Sequence, residues 1–140
     1  MAIKILTFHL RGPIVPYVRM TRNSIFTDRS KRYLDSQEHI RRQYERQMEQ
    51  NGWQKLPEGP IGIEAHFYIK PDMFRRQDAS NCLKAVEDAA NPLKEKHGKY
   101  TLIVWPGVIP DDRFIDHIIV TKRPEYDPEL VGATVIFRRL

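Results

Sequence analysis

The sequence predicts a single domain of the α/β class in its α+β form, a mixed β-sheet with helices packed on it. Three observations carry this. Four segments alternate apolar with polar residues or concentrate β-branched ones, two place apolar residues at helical spacing, and 140 residues suffice for one hydrophobic core without disulfide staples.

The first strand is expected over 3–10, IKILTFHL. Its alternation replaces the charged start, apolar run and cleavage site of a secretion signal, and no segment nears the ~18 apolar residues of a membrane span. A soluble, cytoplasmic protein with no membrane partner is therefore expected. Residues 11–33, RGPIVPYVRMTRNSIFTDRSKRY, follow as a long connection with a glycine, two prolines and then spaced basic and aromatic residues. Arg19, Arg22, Arg29, Lys31 and Arg32 are candidates for contacts to backbone phosphates. Tyr17, Phe26 and Tyr33 either stack on an unpaired base or anchor the loop on the sheet.

Ser36 can cap a helix from Gln37 to about Gln50, with Ile40, Tyr44 and Met48 on one stripe and Gly52 as its end. In the second strand, 61–70, Ile61, Ile63, Ala65, Phe67 and Ile69 fall on one face and Glu64, His66, Tyr68 and Lys70 on the other. A second helix begins near Ser80 and stops at Asn91-Pro92. Cys82, Ala85, Val86 and Ala89 form its inward stripe, while Asn81, Lys84 and Asp88 share the opposite face. Cys82 is the only cysteine, so an internal disulfide is impossible and a small core residue in a reducing compartment is expected. The connection 91–110 is long; its TLIVW portion reads as a short strand or a hydrophobic flap, and Trp105-Pro106-Gly107 as a sharp turn. Strands over 114–122 and 132–140 complete the sheet.

The formal net charge is +5, and the first 50 residues hold ten Lys and Arg against five Asp and Glu. Such a balance suits a nucleic-acid or other polyanion partner. His9, His39, His66, His97 and His117 have no zinc-motif spacing, and Ser80 sits in no nucleophile elbow. Without a Walker-type loop or dinucleotide fingerprint, no nucleotide cofactor is expected.

The acidic residues are more informative in combination. Asp111 and Asp112 stand at a strand entrance and Asp78 just before a helix, each also compatible with an ordinary turn or cap. Brought together, Asp78 and Asp112, with Asp111 or Asp88 as further ligands, suit Mg²⁺ or Mn²⁺, hard cations that prefer carboxylates beside phosphates. Lys84 then places an ammonium near the phosphate or leaving oxygen, and Arg75 and Arg76 extend positive potential toward Asp78.

The segments DASNCLKAVEDA at 78–89 and PDDRFI at 110–115 followed by Lys122 resemble the RusA family of Holliday-junction resolvases, endodeoxyribonucleases common in bacteria and their phages. The N-terminal RGPIVPYVRMTR at 11–22 adds a looser likeness, and with similar length and element order the resemblance covers most of the chain. Asp78, Asn81, Lys84, Asp88 and the Asp111-Asp112 pair match the family pattern. The resemblance implies a RusA-like endonuclease domain over 1–140, acting as a homodimer whose two metal sites cut symmetric strands of a four-way DNA junction. By the same likeness Asp78 and Asp112 are metal ligands, Lys84 assists catalysis and Lys122 contacts DNA.

The chain departs from the family in two places. Ser80 stands where a second aspartate is usual, which removes one charged ligand; Asp111, Glu87 or Asp88 are the residues able to compensate. An insertion within 91–110 is the other, expected to cover the DNA site, lengthen the dimer interface, or do neither. The leading expectation is metal-dependent phosphodiester hydrolysis at branched DNA. A noncatalytic branched-DNA-binding or structural module that has lost a ligand at Ser80 is the main alternative, and a protein-interaction domain the third.

Overall fold

A computed structural model describes residues 3–21, 23–24 and 26–140. Four strands form the main sheet: β1 (Ile5–Arg11), β2 (Ile61–Ile69), β5 (Ile115–Pro124) and β6 (Gly132–Arg139), in the order β1-β6-β2-β5. The sheet is mixed, because β6 runs antiparallel to both β1 and β2 whereas β5 runs parallel to β2. Helices α1 (Asp28–Gln50) and α2 (Ala79–Ala90) pack on each other and on one face of this sheet. Strands β3 (Leu93–His97) and β4 (Tyr100–Trp105) pair only with each other, as a separate antiparallel ribbon. The expected α+β fold is thus observed. No helix among the described residues is long and apolar enough to cross a membrane.

The alternation in β2 places Ile61, Ile63, Ala65, Phe67 and Ile69 in the core, while Glu64, His66 and Tyr68 line the face that no helix covers. Phe8 of β1 lies edge-on to Tyr44 of α1 at 4.8 Å, and Phe137 of β6 completes the cluster 6.1 Å from Phe8. Offset and edge contacts of this kind add to the burial of large rings. Cys82 is fully buried, and burial pushes its thiol up to about 11, consistent with the inert core role expected of it.

Helix α1 starts nine residues earlier than expected. Thr27, not Ser36, is its cap, accepting from the Ser30 amide in an extended conformation. Arg29, Lys31, Arg32 and Tyr33 therefore stand on the first turns of a helix instead of in a loop. At the other end Gly52 and Trp53 both adopt positive φ, +71° and +57°. For tryptophan this costs about 1–2 kcal/mol; the Trp53 amide bonds the Met48 carbonyl at 2.7 Å and its ring packs 6.0 Å from Trp105.

Strand β1 is a sheet edge, and α1 closes part of it. Gln43 exchanges two hydrogen bonds with the backbone of Arg11 (2.7 and 3.2 Å), and Gln47 two with that of His9 (both 2.9 Å). The match is geometric: four residues of helix rise about 6 Å, two residues of strand about 6.6 Å. Glutamines one turn apart therefore meet two successive outward-facing residues of the edge, His9 and Arg11, and there take the place of a further strand.

Gln43→Ala is expected to lower stability in urea unfolding by about 1–2 kcal/mol, because it strands partly buried backbone groups. Gln47→Ala should cost less, since water reaches the His9 backbone. Equal losses would rule out burial as the source of the difference.

Candidate nucleic-acid interface and acidic pair

Asp78 is the N-cap of α2. Its Oδ1 accepts from the Ser80 amide at 2.8 Å and from the Ser80 hydroxyl at 2.5 Å. These two bonds, hydroxyl first, hold the Asp78 carboxyl below its ordinary range, helped by the Asn81 amide and the Lys122 charge. Ser80, where the resembled family has an acid, is thus turned toward Asp78 as a donor.

Lys122, expected to contact DNA, directs two of its three N–H donors into the chain. Its ammonium donates to the carbonyls of Phe74 and Gln77, both at 2.8 Å, and sits 4.7 Å over the Phe74 ring. It braces the turn from β2 into α2 and leaves a positive charge beside Asp78.

A groove of about 370 Å³ opens at this end of α2, with Arg29, Arg32, Arg76, Asp78 and Asn81 on its walls and Tyr17 at its floor. Helix α1 supplies two of the arginines, the turn before α2 the third. Arg19, Lys31 and Arg75 are exposed outside this lining, Arg75 stacked 4.9 Å over Phe74; Arg22 lies outside the described residues. Tyr17 and Tyr33 meet edge-on at 5.7 Å and the Tyr17 amide bonds the Asn81 carbonyl at 3.0 Å, so these two rings anchor the loop, whereas Phe26 is open to solvent.

Farther along α2, the Lys84 ammonium lies 4.8 Å over the Tyr17 ring and 3.6 Å from Asp88 Oδ1. The Tyr33 hydroxyl donates to Asp88 Oδ2 at 2.8 Å. Burial, then this bond, raises the Tyr33 phenol well above its usual range and keeps it a donor. Asp88 is accordingly a structural acceptor.

Asp111 caps the single 3₁₀ turn Asp112–Phe114, accepting from the Arg113 amide at 2.9 Å. That bond chiefly, with the Asp112 carboxyl, Arg113 and Lys94, holds it below the ordinary range. The Asp112 charge is felt at Glu87 of α2. The Glu87 carboxyl is pushed up to about 7, first by burial and next by the Asp112 charge, against which Lys84 acts.

The expected grouping of Asp78 with Asp112, Asp111 and Asp88 is not assembled within the chain. Strand β5 pairs parallel to β2 and α2 is the crossover between them, so the residue before α2 and the residues before β5 lie at opposite ends of the unit. Asp78 stands by Lys122, seven residues and about 23 Å along β5 from Ile115. Asp112 stands by Glu87, nine residues and about 14 Å along α2 from Asp78. Among the described residues no three His, Cys, Asp or Glu converge into a metal-holding group.

Glu87 and Asp112 lie near enough for the Asp112 charge to raise the Glu87 carboxyl. Two carboxylates, one of them raised by burial and by the charge of the other, would fit a hard cation that completes its shell with water and substrate oxygen. Asp78, a single carboxylate already bonded through Oδ1, does not fit as a member of that set. Glu87, considered in the sequence only as a stand-in, is the acid best placed to partner Asp112. No protein-family model and no curated protein matches the chain.

The raised Glu87 carboxyl has a defined pH signature. Unfolded, it titrates near 4.5; folded, near 7. Its contribution is fully favourable below the lower value and is lost as pH climbs through the upper one, by at most about 3 kcal/mol. Urea midpoints of wild type should fall across that window, and Glu87→Gln should flatten the profile. An unchanged slope in the variant would exclude Glu87 as the source.

Proposed function

We propose that the chain is a metal-dependent endodeoxyribonuclease acting on four-way junctions or related branched DNA, as a homodimer that delivers two cuts. The single observation that carries this is the approach of Asp112 to Glu87 on α2, the helix that also carries Lys84 and whose start borders the arginine-lined groove. Arg29, Arg32 and Arg76 bind backbone phosphates without reading sequence, which makes binding strongly salt-dependent. Glu87 and Asp112 would hold Mg²⁺ or Mn²⁺, which would supply Lewis-acid polarisation of the phosphodiester and lower the pKa of a water. Glu87 and Asp112 orient that chemistry, and the Lys84 ammonium, one helical turn before Glu87, stabilises charge developing on phosphate oxygens. The assignment of branched DNA draws on the sequence resemblance to RusA-family resolvases.

One observation favours a second reading, a noncatalytic branched-DNA-binding module. Asp78, the ligand that resemblance names first, faces a serine hydroxyl and not a second carboxylate.

Wild type is expected to cleave a mobile four-way junction in Mg²⁺ or Mn²⁺ and leave linear duplex intact. Asp112→Asn and Glu87→Gln should each slow cleavage at least about 100-fold with junction binding retained. Tight binding with no cleavage in any divalent metal would select the noncatalytic reading, and gain of cleavage in Ser80→Asp would locate the missing ligand. Full activity in both carboxylate variants would reject the acidic pair as the site.

A further inference from the structure

Among the described residues, the ribbon β3–β4 pairs with no other strand and is exposed almost throughout. Every residue of β3 is exposed, and on β4 only Trp105 is buried. Tyr100 is 77% exposed, Ile103 64%, Leu102 54% and Val104 52%, an apolar display on a segment that contributes nothing else to the core.

The root of the ribbon is fixed. Trp105 Nε1 donates to the Ala89 carbonyl at 2.9 Å and its ring packs on Trp53. After the turn, the Val108 amide bonds the Ala90 carbonyl at 2.9 Å. Gly107, at φ +75°, passes so close to Pro92 and Ala90 that a Cβ would meet backbone at 2.7 Å. The ribbon thus springs from the end of α2 that carries Glu87, and Lys94 at its base is near enough to Asp111 to help keep that carboxyl ionised. Five residues per strand carry the tip about 16 Å outward.

Its two faces differ in chemistry. The register sets Lys94 opposite Ile103 and Lys96 opposite Thr101 on one side, and Glu95 opposite Leu102 and His97 opposite Tyr100 on the other. Against the three lysines Lys94, Lys96 and Lys99 the ribbon carries a single acid, Glu95, which lies on the side opposite Lys94 and Lys96 with its carboxylate 3.3 Å from His97. A two-stranded ribbon fits a DNA groove, and apolar side chains on such arms wedge against unstacked bases.

Resting on the nuclease reading above, we propose that β3–β4 is a DNA arm: its lysines hold phosphates beside the acidic pair, and Tyr100 with Leu102 packs on bases exposed at the branch point. The occupant is DNA because the ribbon's uncompensated charge is positive and its root adjoins the acidic pair. The arm supplies preference for branched over linear DNA, since paired bases in a duplex offer Tyr100 no open face.

The test measures binding of the full chain to a four-way junction and to linear duplex in EDTA, where no cut occurs. Substituting Lys94, Lys96 and Lys99 together by serine should reduce the slope of log K against log salt by about 2 to 3. Tyr100→Ser should weaken junction binding about 10-fold, the loss of one stacking contact, and leave duplex binding unchanged. These side chains are exposed, so melting should not move. Wild-type junction binding with unaltered slope and affinity in both variants would overturn the arm while leaving the nuclease reading intact. A shift from dimer to monomer in sedimentation, with DNA binding preserved, would assign the ribbon to a second copy and also overturn it. No junction binding by wild type would sink both readings.

Discussion

The parallel pairing of β2 with β5 decides where every charged group of interest lies. Parallel neighbours cannot be joined by a tight turn; the chain must cross from the end of one to the start of the other, and α2 with the ribbon makes that crossing. Both strands then run in the same direction, with α2 carrying the chain back. Lys122 is delivered to the helix start, where it braces the turn that presents Asp78. Asp111 and Asp112 are delivered to the later turns, where they meet Glu87. Had β5 run antiparallel to β2, the acids before it would have been brought to the helix start and Lys122 to the far end.

The two edges of the sheet are handled differently. At β1 a row of backbone groups that invites a further strand is closed by Gln43 and Gln47, a device that works only because α1 is long enough to run alongside the edge. Helix α1 also reaches α2, where Gln37 donates to the Ala85 carbonyl at 2.8 Å and Tyr44 to the Val86 carbonyl at 3.0 Å. Buried polar groups of this kind fix the axial position of one helix against another, since a slip would leave them unsatisfied. The other edge, β5, has no such cover, and Ile118 and Ile119 on it are exposed.

How much of this the sequence disclosed follows from which elements bury an apolar face. Strand β2 and helix α2 do, and their periods placed them and their core residues correctly. The first turns of α1 do not: Ser30, Tyr33 and Gln37 are its buried residues there, polar or amphipathic side chains that no hydropathy pattern marks, so the cap at Thr27 was hidden and Ser36 stood out falsely. Strand β3, LKEKH, has no buried face at all, and only its register with β4 makes it a strand. The site suffered for a different reason. Asp78, Lys84, Asp111 and Asp112 were visible as residue types, but their grouping depends on strand direction, which local pattern does not encode. Glu87 sits on the flank between the core stripe and the exposed face of α2, and only the approach of Asp112 distinguishes it from a surface acid.

The charge order along α2 also bears on what the acidic pair is for. A helix end rich in free carbonyls favours cations, and the last turn of α2 has no basic residue; it carries Glu87 and Asp88 instead. Asp88 is answered by Lys84 and the Tyr33 hydroxyl. Glu87 is answered only in part, by the Lys84 charge: it is half-buried, at the unfavourable pole of the dipole and near Asp112, and these three influences disfavour its charge and outweigh Lys84. Repacking Glu87 as glutamine would remove all three penalties, which leaves the acid without a stabilising role in the isolated chain. A divalent cation at that position would offset them, neutralising two carboxylates and the exposed carbonyl end together. The energetic cost of keeping Glu87 is therefore intelligible if the folded protein is completed there by a cation, and by the phosphate that the cation and Lys84 would jointly hold.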